Sequence, residues 1–220
     1  MALDTTLYPN IMEPLIDIHT HNTGSSQENS ILCTPSYIEG RNISLGIHPW
    51  DITEEWEEQL AEITEKAKAR NVIAIGECGI DSIKSPASHE LQYRILNAHA
   101  TISEELGKPM IIHCVKGIDH VLRLHSSIKP RQAWIIHGFR GKPQQAAQFT
   151  DRGIYISLGE HFNTESALHI PSDRILVESD DSSRALHEIY KAIATARGYT
   201  IDELAAQVVR NAKTIFKEWL

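Results

Sequence analysis

The stretch "LIDIHTHN", Leu15 to Asn22, is an apolar run that closes on two histidines two residues apart. Side chains at that spacing on a strand share a face. His19 and His21 therefore point the same way, with Asp17 below them. The pattern recurs along the chain. "VIAIGE" (72–77) closes on Glu77, "PMIIHC" (109–114) carries His113, "AWIIHG" (133–138) carries His137, and "RILVES" (174–179) runs through Glu178 to Asp180. With "LIDIH" (15–19), "SILCT" (30–34), "ISLGI" (43–47) and "GIYISLG" (153–159), these make eight expected strands. Most are near-continuous Ile, Val and Leu, as in parallel strands buried on both faces.

Helical segments fill most of the gaps. Residues 53–70 place Trp56, Leu60, Ile63 and Ala67 on one stripe, and Asp51 and Glu54 have capping-box spacing just before it. Residues 88–106 begin at Ser88 and stop at Gly107. Shorter helices fit 117–127 and 143–152, the latter with Pro143 near its first turn. Residues 183–197 follow the last strand, and 201–219 open on a capping box of Thr200 and Glu203. Strands interleaved with helices point to an α/β fold, a (β/α)8 TIM-type barrel, with an open doubly wound sheet as the alternative. No internal repeat, low-complexity tract or linker interrupts the chain, so residues 1–220 read as one domain.

Composition narrows the class. The chain is 41% hydrophobic and 23% charged, ordinary for a soluble globular protein. No apolar run approaches the roughly 18 residues of a membrane span. "MALDTTLYPNIM" lacks the basic and apolar regions of a signal peptide. Cys33, Cys78 and Cys114 lack zinc-finger spacing, and reduced thiols in a cytoplasmic protein is the expectation. A formal charge of −8 argues against tight non-specific binding to duplex nucleic acid, though not against a local anion site.

In a parallel barrel the C-terminal strand ends meet at one mouth, where active sites sit. That gathers His19, His21, Glu77, His113, His137 and Asp180. A buried charge or imidazole needs a partner, and four separate strands ending in such residues favour a shared site. Single histidines carry less: His48 in "GIHPW", and His89, His99, His120, His125, His169 and His187 on helices or loops, each read alone as satisfied polar residues. Four imidazoles and two carboxylates suit divalent metals, with imidazole favouring zinc, iron, copper or nickel and carboxylate widening this to manganese and magnesium. Six ligands exceed one tetrahedral zinc but suit two ions sharing a carboxylate.

The ordered motifs resemble the TatD family of metal-dependent hydrolases, within the amidohydrolase-like barrels. "DIHTHN" looks like the family's Asp-x-His-x-His opening, and "GIHP" (46–49) matches its Gly-x-His-Pro. "IGECGID" (75–81) resembles Ile-Gly-Glu-x-Gly-Leu-Asp, and "KPMIIHC" (108–114) matches the fifth strand. "IIHGFRG" (135–141) resembles His-x-Phe-Ser-Gly, "ILVESD" (175–180) Leu-Glu-Thr-Asp, and "NAKTIF" (211–216) the closing helix.

The resemblance implies two divalent ions, zinc, manganese or magnesium. His19, His21, Glu77 and Asp180 would hold one; Glu77, as the bridge, would hold the other with His113 and His137. A water between the ions would be the nucleophile, with Asp180 as its proton acceptor. His48 would contact a substrate phosphate or leaving oxygen. Characterised members are commonly nucleases, so the implied substrate is nucleic acid, as in a deoxyribonuclease, or another phosphodiester. Lys116, Arg140, Lys142, Trp50 and Phe139 lie on mouth loops, where they could hold a phosphate and stack a base. Cys78 and Cys114 should face the helix layer and pack there.

This chain departs from the family pattern at three places. Val115 and Lys116 stand where the family often has arginine, so a point charge replaces a bidentate fork. Asp181, Ser182 and Ser183 replace a proline-containing loop and add negative charge at the mouth. That keeps two other readings open: a dinuclear hydrolase of a small ester, lactone or amide, and a non-catalytic metal-binding barrel. A serine hydrolase is unsupported, since Gly-x-Ser-x-Gly is absent. "HELQY" and "HEIYK" lack the second histidine of a zincin, and there is no Walker loop.

The third departure is length. "THNTGSSQEN" and "PSYIEGRN" leave roughly ten and about eight residues for the first two crossovers, which usually take a dozen or more and a helix. The first two outer helices should be lost or cut to one turn, with the exposed flank covered by Leu7, Tyr8, Ile11 and Met12 of the N-terminal segment or, as the alternative, by a second subunit.

Overall fold

Eight parallel strands follow one another around the sheet in chain order in the computed structural model, which describes residues 13–217 and Trp219. They are β1 (Asp17–Thr20), β2 (Ser30–Thr34), β3 (Ile43–Leu45), β4 (Val72–Asp81), β5 (Met110–Val115), β6 (Trp134–Ile136), β7 (Tyr155–Leu158) and β8 (Ile175–Val177). The last strand returns to the first through a parallel bridge between Thr20 and Asp180. The result is a nearly closed (β/α)8 barrel, and the open sheet is excluded.

The strands are short, and their Ile, Val and Leu side chains are almost wholly buried. The helices lie outside. Helix α1 (Trp56–Lys66) buries Ile63 and rests Trp56 and Leu60 on the core. It starts later than the sequence suggests and has no side-chain cap: Thr53 accepts from Glu55 N, which absorbs the first turn into a loop. Helix α2 (His89–Leu106) starts at Ser88, whose side chain accepts from Leu91 N, and ends at left-handed Gly107. Helices α3 (Ile118–Ile128) and α4 (Pro143–Thr150) fall where expected. Between β7 and β8 stand a six-residue α5 (Thr164–His169) and a 3-10 turn (Ser172–Arg174), neither signalled by the apolar pattern. Helices α6 (Leu186–Arg197) and α7 (Ile201–Ile215) close the chain, α7 on the expected Thr200–Glu203 capping box. No helix among the described residues is long and apolar enough to cross a membrane.

No helix separates β1 from β2 or β2 from β3. A buried arginine does part of the missing work. Arg41, 8% exposed, donates to the carbonyls of Thr23 (2.6 Å) and Asn22 (3.4 Å) and to the Ser25 hydroxyl, tying the two short connections together. Asn71 adds bonds to Ile38 O and Arg41 O. The expected cover by Leu7, Tyr8, Ile11 and Met12 lies outside the described residues.

Strand β4 runs past Glu77 to Asp81, contrary to the expectation that it ends at Glu77. Its register against β5 shifts between Ile75 and Cys78, after which Gly79 pairs with His113 and Asp81 with Val115. Glycines make this possible. A Cβ on Gly79 would sit 1.9 Å from His113 O, and one on Gly46 would sit 2.6 Å from Glu77 O. The backbones of β3, β4 and β5 thus crowd together where Glu77 and His113 are mounted.

Candidate metal centre

Glu77 is the hub of the mouth. It is 4% exposed, and its two oxygens face different histidines. Oε2 lies 3.3 Å from His19 Nε2 and 3.5 Å from His21 Nε2. Oε1 lies 2.6 Å from His137 Nε2, 2.7 Å from His113 Nδ1 and 3.1 Å from His48 Nε2. Asp180 Oδ1 stands on the first side, 3.7 Å from His19 Nε2 and 3.6 Å from His21 Nε2. All six residues expected at the strand ends are therefore brought together, and His48 joins them on the Oε1 side.

The second nitrogens of two histidines are held by further carboxylates. His113 Nε2 is 3.1 Å from Asp81 Oδ2, and His137 Nδ1 is 3.3 Å from Glu178 Oε1. Glu178 is fully buried and also accepts from Gly138 N at 2.6 Å. A carboxylate behind an imidazole fixes its tautomer and orientation, as around metal-ligating histidines. Asp81 carries no role in the sequence pattern because it lies beyond the expected end of β4 at Glu77. Glu178 was noted only in passing on the way to Asp180.

Asp17 does not join the cluster. It accepts from Ser179 N (2.9 Å) and Ser179 Oγ (2.6 Å), zipping β1 to the segment after β8. Burial raises its carboxyl to about 7, although those bonds work in the other direction. Cys33 was given no place in the site, yet its sulfur lies among the ligand atoms of His19, His21 and Glu77, all within 4.8 Å of one another. Burial, with the Glu77 charge, pushes its thiol up to about 12. Cys78 is buried and Cys114 packs against the core, as expected.

The electrostatics say what the cluster lacks. Burial alone would raise the Glu77 carboxyl, but the His137 charge, the hydrogen bonds from His113 and His137 and the nearby His19 ring hold it well below the usual range. Burial would lower His19, and the His137 charge adds to that; the Asp180 and Glu77 carboxylates beside it nonetheless carry it up to about 9. His137 is likewise carried well above its ordinary value, against burial, by Glu77 and Glu178. Asp180, which burial would raise, is brought down to about 2 chiefly by the neighbouring His19 ring. The acidic hub thus draws positive charge into a buried place, and protons on imidazoles supply it. A divalent cation would meet the same demand from the same donors. Both ring nitrogens of buried His19 make no hydrogen bond, although two carboxylates stand within 4 Å of Nε2. Groups that approach without bonding one another are placed for a common ion. The donor set, imidazole and carboxylate, fits zinc, manganese or another transition metal.

A shallow cleft opens beside Asp180, lined by Arg140, Glu160, His161, Asp181 and Ser182 among others. His161 stands two residues beyond the expected strand 153–159, and that position is the signal by which the sequence points to it. Lys116 is exposed on the loop after β5, outside this cleft. Trp50 is 43% exposed, held by a 2.7 Å bond from Nε1 to Asp81, with Lys84 Nζ 4.4 Å from its ring centre. Phe139 is not free to stack on a base: it is 6% exposed and packed edge-on against Phe149.

Comparison with known proteins gives a consistent set of likenesses. The sequence model of the family "TatD related DNase" matches residues 17–217. The chain is 28% identical over 198 residues to the "3'-5' ssDNA/RNA exonuclease TatD" of Erwinia amylovora, covering 78% of this chain and 76% of that one. It is 26% identical over 195 residues to the "Uncharacterized metal-dependent hydrolase YabD" of Bacillus subtilis, covering 79% and 76%. The fold of YJJV, a TatD homolog from Escherichia coli, superposes with a TM-score of 0.77 at 20% identity, over 92% of this chain and 98% of that one.

Proposed function

The chain belongs to the TatD family of metal-dependent hydrolases, and from that membership we propose that it is a two-metal phosphodiesterase, a single barrel domain acting on single-stranded DNA or RNA. One observation carries the reading: the two oxygens of Glu77 each face their own set of histidines. His19, His21, Asp180 and Glu77 Oε2 would hold one divalent ion. His113, His137 and Glu77 Oε1 would hold the other, with His48 at its edge. When bound, such ions supply Lewis acidity and bring the pKa of water towards neutrality.

The protein's own groups divide the remaining work. Asp180 is ionised at neutral pH, so Oδ1 can accept a proton from the attacking water. Its partial burial and its hold on His19 and His21 fix that oxygen in place. Asp81 and Glu178 keep His113 and His137 turned towards Glu77. Arg140 lines the cleft and can pair with a phosphate, and Lys116 can reach a more distant one. The exposed Trp50 ring offers a base a stacking surface. Free cysteines fit the cytoplasmic location expected for the chain.

One observation favours a second reading. Glu160 and Asp181 line the cleft and would oppose a polyanion, as a small ester, lactone or amide would not. End-labelled single-stranded DNA and RNA, given to the zinc- or manganese-loaded protein, separate the two. Stepwise shortening that weakens steeply with salt is expected of the nuclease. Intact oligonucleotides together with salt-insensitive hydrolysis of a small ester would transfer the assignment to the second reading. Metal binding with no hydrolysis of either would leave a non-catalytic barrel.

A further inference from the structure

We propose that Cys33 is a ligand of the first metal position, completing with His19, His21 and Glu77 a donor set that selects zinc over magnesium. The inference rests on the metal-centre reading above and adds to it a residue that the strand-end motifs do not contain.

Cys33 stands on β2, next to β1, one place beyond Leu32, which pairs with Thr20. Its Sγ, His19 and His21 ring nitrogens and a Glu77 oxygen all lie within 4.8 Å of one another. Neither Cys78 nor Cys114 joins any such group among the described residues. The second observation is His19. It is fully buried and neither ring nitrogen makes a hydrogen bond, although Glu77 Oε2 is 3.3 Å from Nε2. That nitrogen is aimed into the same space as the thiol. Ligand bonds of about 2.0–2.3 Å give a tetrahedron with edges of about 3.3–3.8 Å. The distances from Glu77 Oε2 to His19 and His21, 3.3 and 3.5 Å, already have that size. The thiol, within 4.8 Å of the same donors, is the fourth member of that group.

The consequence is chemical. Thiolate and imidazole favour soft and borderline ions, whereas magnesium takes oxygen ligands and keeps its water. The thiol proton leaves to solvent as the metal–sulfur bond forms. Asp180 then borders the position as a fifth group, which suits a carboxylate that must also exchange a proton.

Cobalt(II) loading of the full-length protein provides the test. Wild type should show visible d–d bands together with a near-ultraviolet thiolate-to-cobalt charge-transfer band. Cys33→Ser should lose the charge-transfer band and keep the d–d bands, and its preference for zinc over magnesium should shrink. Cys78→Ala and Cys114→Ala should retain the band. X-ray absorption of the zinc-loaded wild type should show a sulfur neighbour at about 2.3 Å, which decides the matter even if the Cys33 variant does not fold. Bound cobalt with no charge-transfer band, a zinc shell of nitrogen and oxygen alone, or a band that survives Cys33→Ser would overturn the role of Cys33 and leave the metal centre standing. Wild type that retains neither cobalt nor zinc would overturn both.

Discussion

Asp180 and His19 meet twice. The Asp180 amide donates to His19 O at 3.0 Å, and its Oδ1 stands 3.7 Å from His19 Nε2. The first contact belongs to the seam that closes the barrel, where His21 N also donates to Asp180 O at 3.0 Å. The second belongs to the site. The contacts that close the barrel therefore also bring Asp180 and His19 together in the candidate centre. Asp180 adopts a left-handed φ of 55° to do both, a conformation that Asp and Asn tolerate better than other side chains.

Asp180→Asn tests the proton role with the least disturbance, since Asn keeps the seam bonds and accepts the same backbone. Most of the metal should stay bound, while turnover falls by roughly 100-fold to 10,000-fold. Full activity on every hydrolysed substrate would show that some other group takes the proton.

Glu77→Ala removes the only group among the described residues that faces both sets of histidines. Elemental analysis should find two ions per wild-type chain after reconstitution and none in the variant. Zinc at 100 times its dissociation constant should stabilise wild type by about 2.7 kcal/mol in thermal unfolding and leave the variant unmoved. A wild-type ratio that saturates at one ion would sink the two-ion arrangement.

Glu178→Gln and Asp81→Asn test the carboxylates behind His137 and His113. Each should weaken metal binding by about 10–100-fold, because the imidazole loses its orienting partner and some basicity. Calorimetric titration of the metal-free variants reads this directly. Unchanged affinities in variants that melt normally would confine both residues to packing.

His99 sets an acid limit on stability that is separate from the centre. Ile47 N donates to its Nε2 at 3.0 Å, and its Nδ1 bonds Ile95 O at 2.8 Å, so the buried ring is held neutral. Burial lowers it to about 4, from an ordinary value of 6.5. Between those values the unfolded chain takes up a proton that the folded chain refuses, so stability falls as pH falls from about 6.5 to about 4, by up to about 1.4 kcal/mol per pH unit. Asp17, raised to about 7, acts with the opposite sign in an overlapping window. The quantity to measure is therefore the difference in pH slope between wild type and His99→Gln in urea unfolding. Equal slopes would refute the assignment.

The sequence by itself determined the eight strands and the six candidate donors near their ends. It also determined the loss of two helices, because connection length bounds what a crossover can contain. Those features follow from local rules: a run of Ile and Val, a period of two, a Gly or Thr at a helix end. What the tertiary structure decided was who faces whom. A period of two says that His19 and His21 share a face, but only barrel closure and the register of β4 against β5 put Oε2 of Glu77 before that pair and Oε1 before His113 and His137. The same register carries Asp81 to His113, which no local pattern signals because the strand had to continue past Glu77. Cys33 enters the centre, and Phe139 leaves the mouth for the core, for a related reason. Neighbours on adjacent strands and loops are fixed by twist, shear and close glycine contacts between chain segments far apart in sequence, and no stretch of residues read alone contains those.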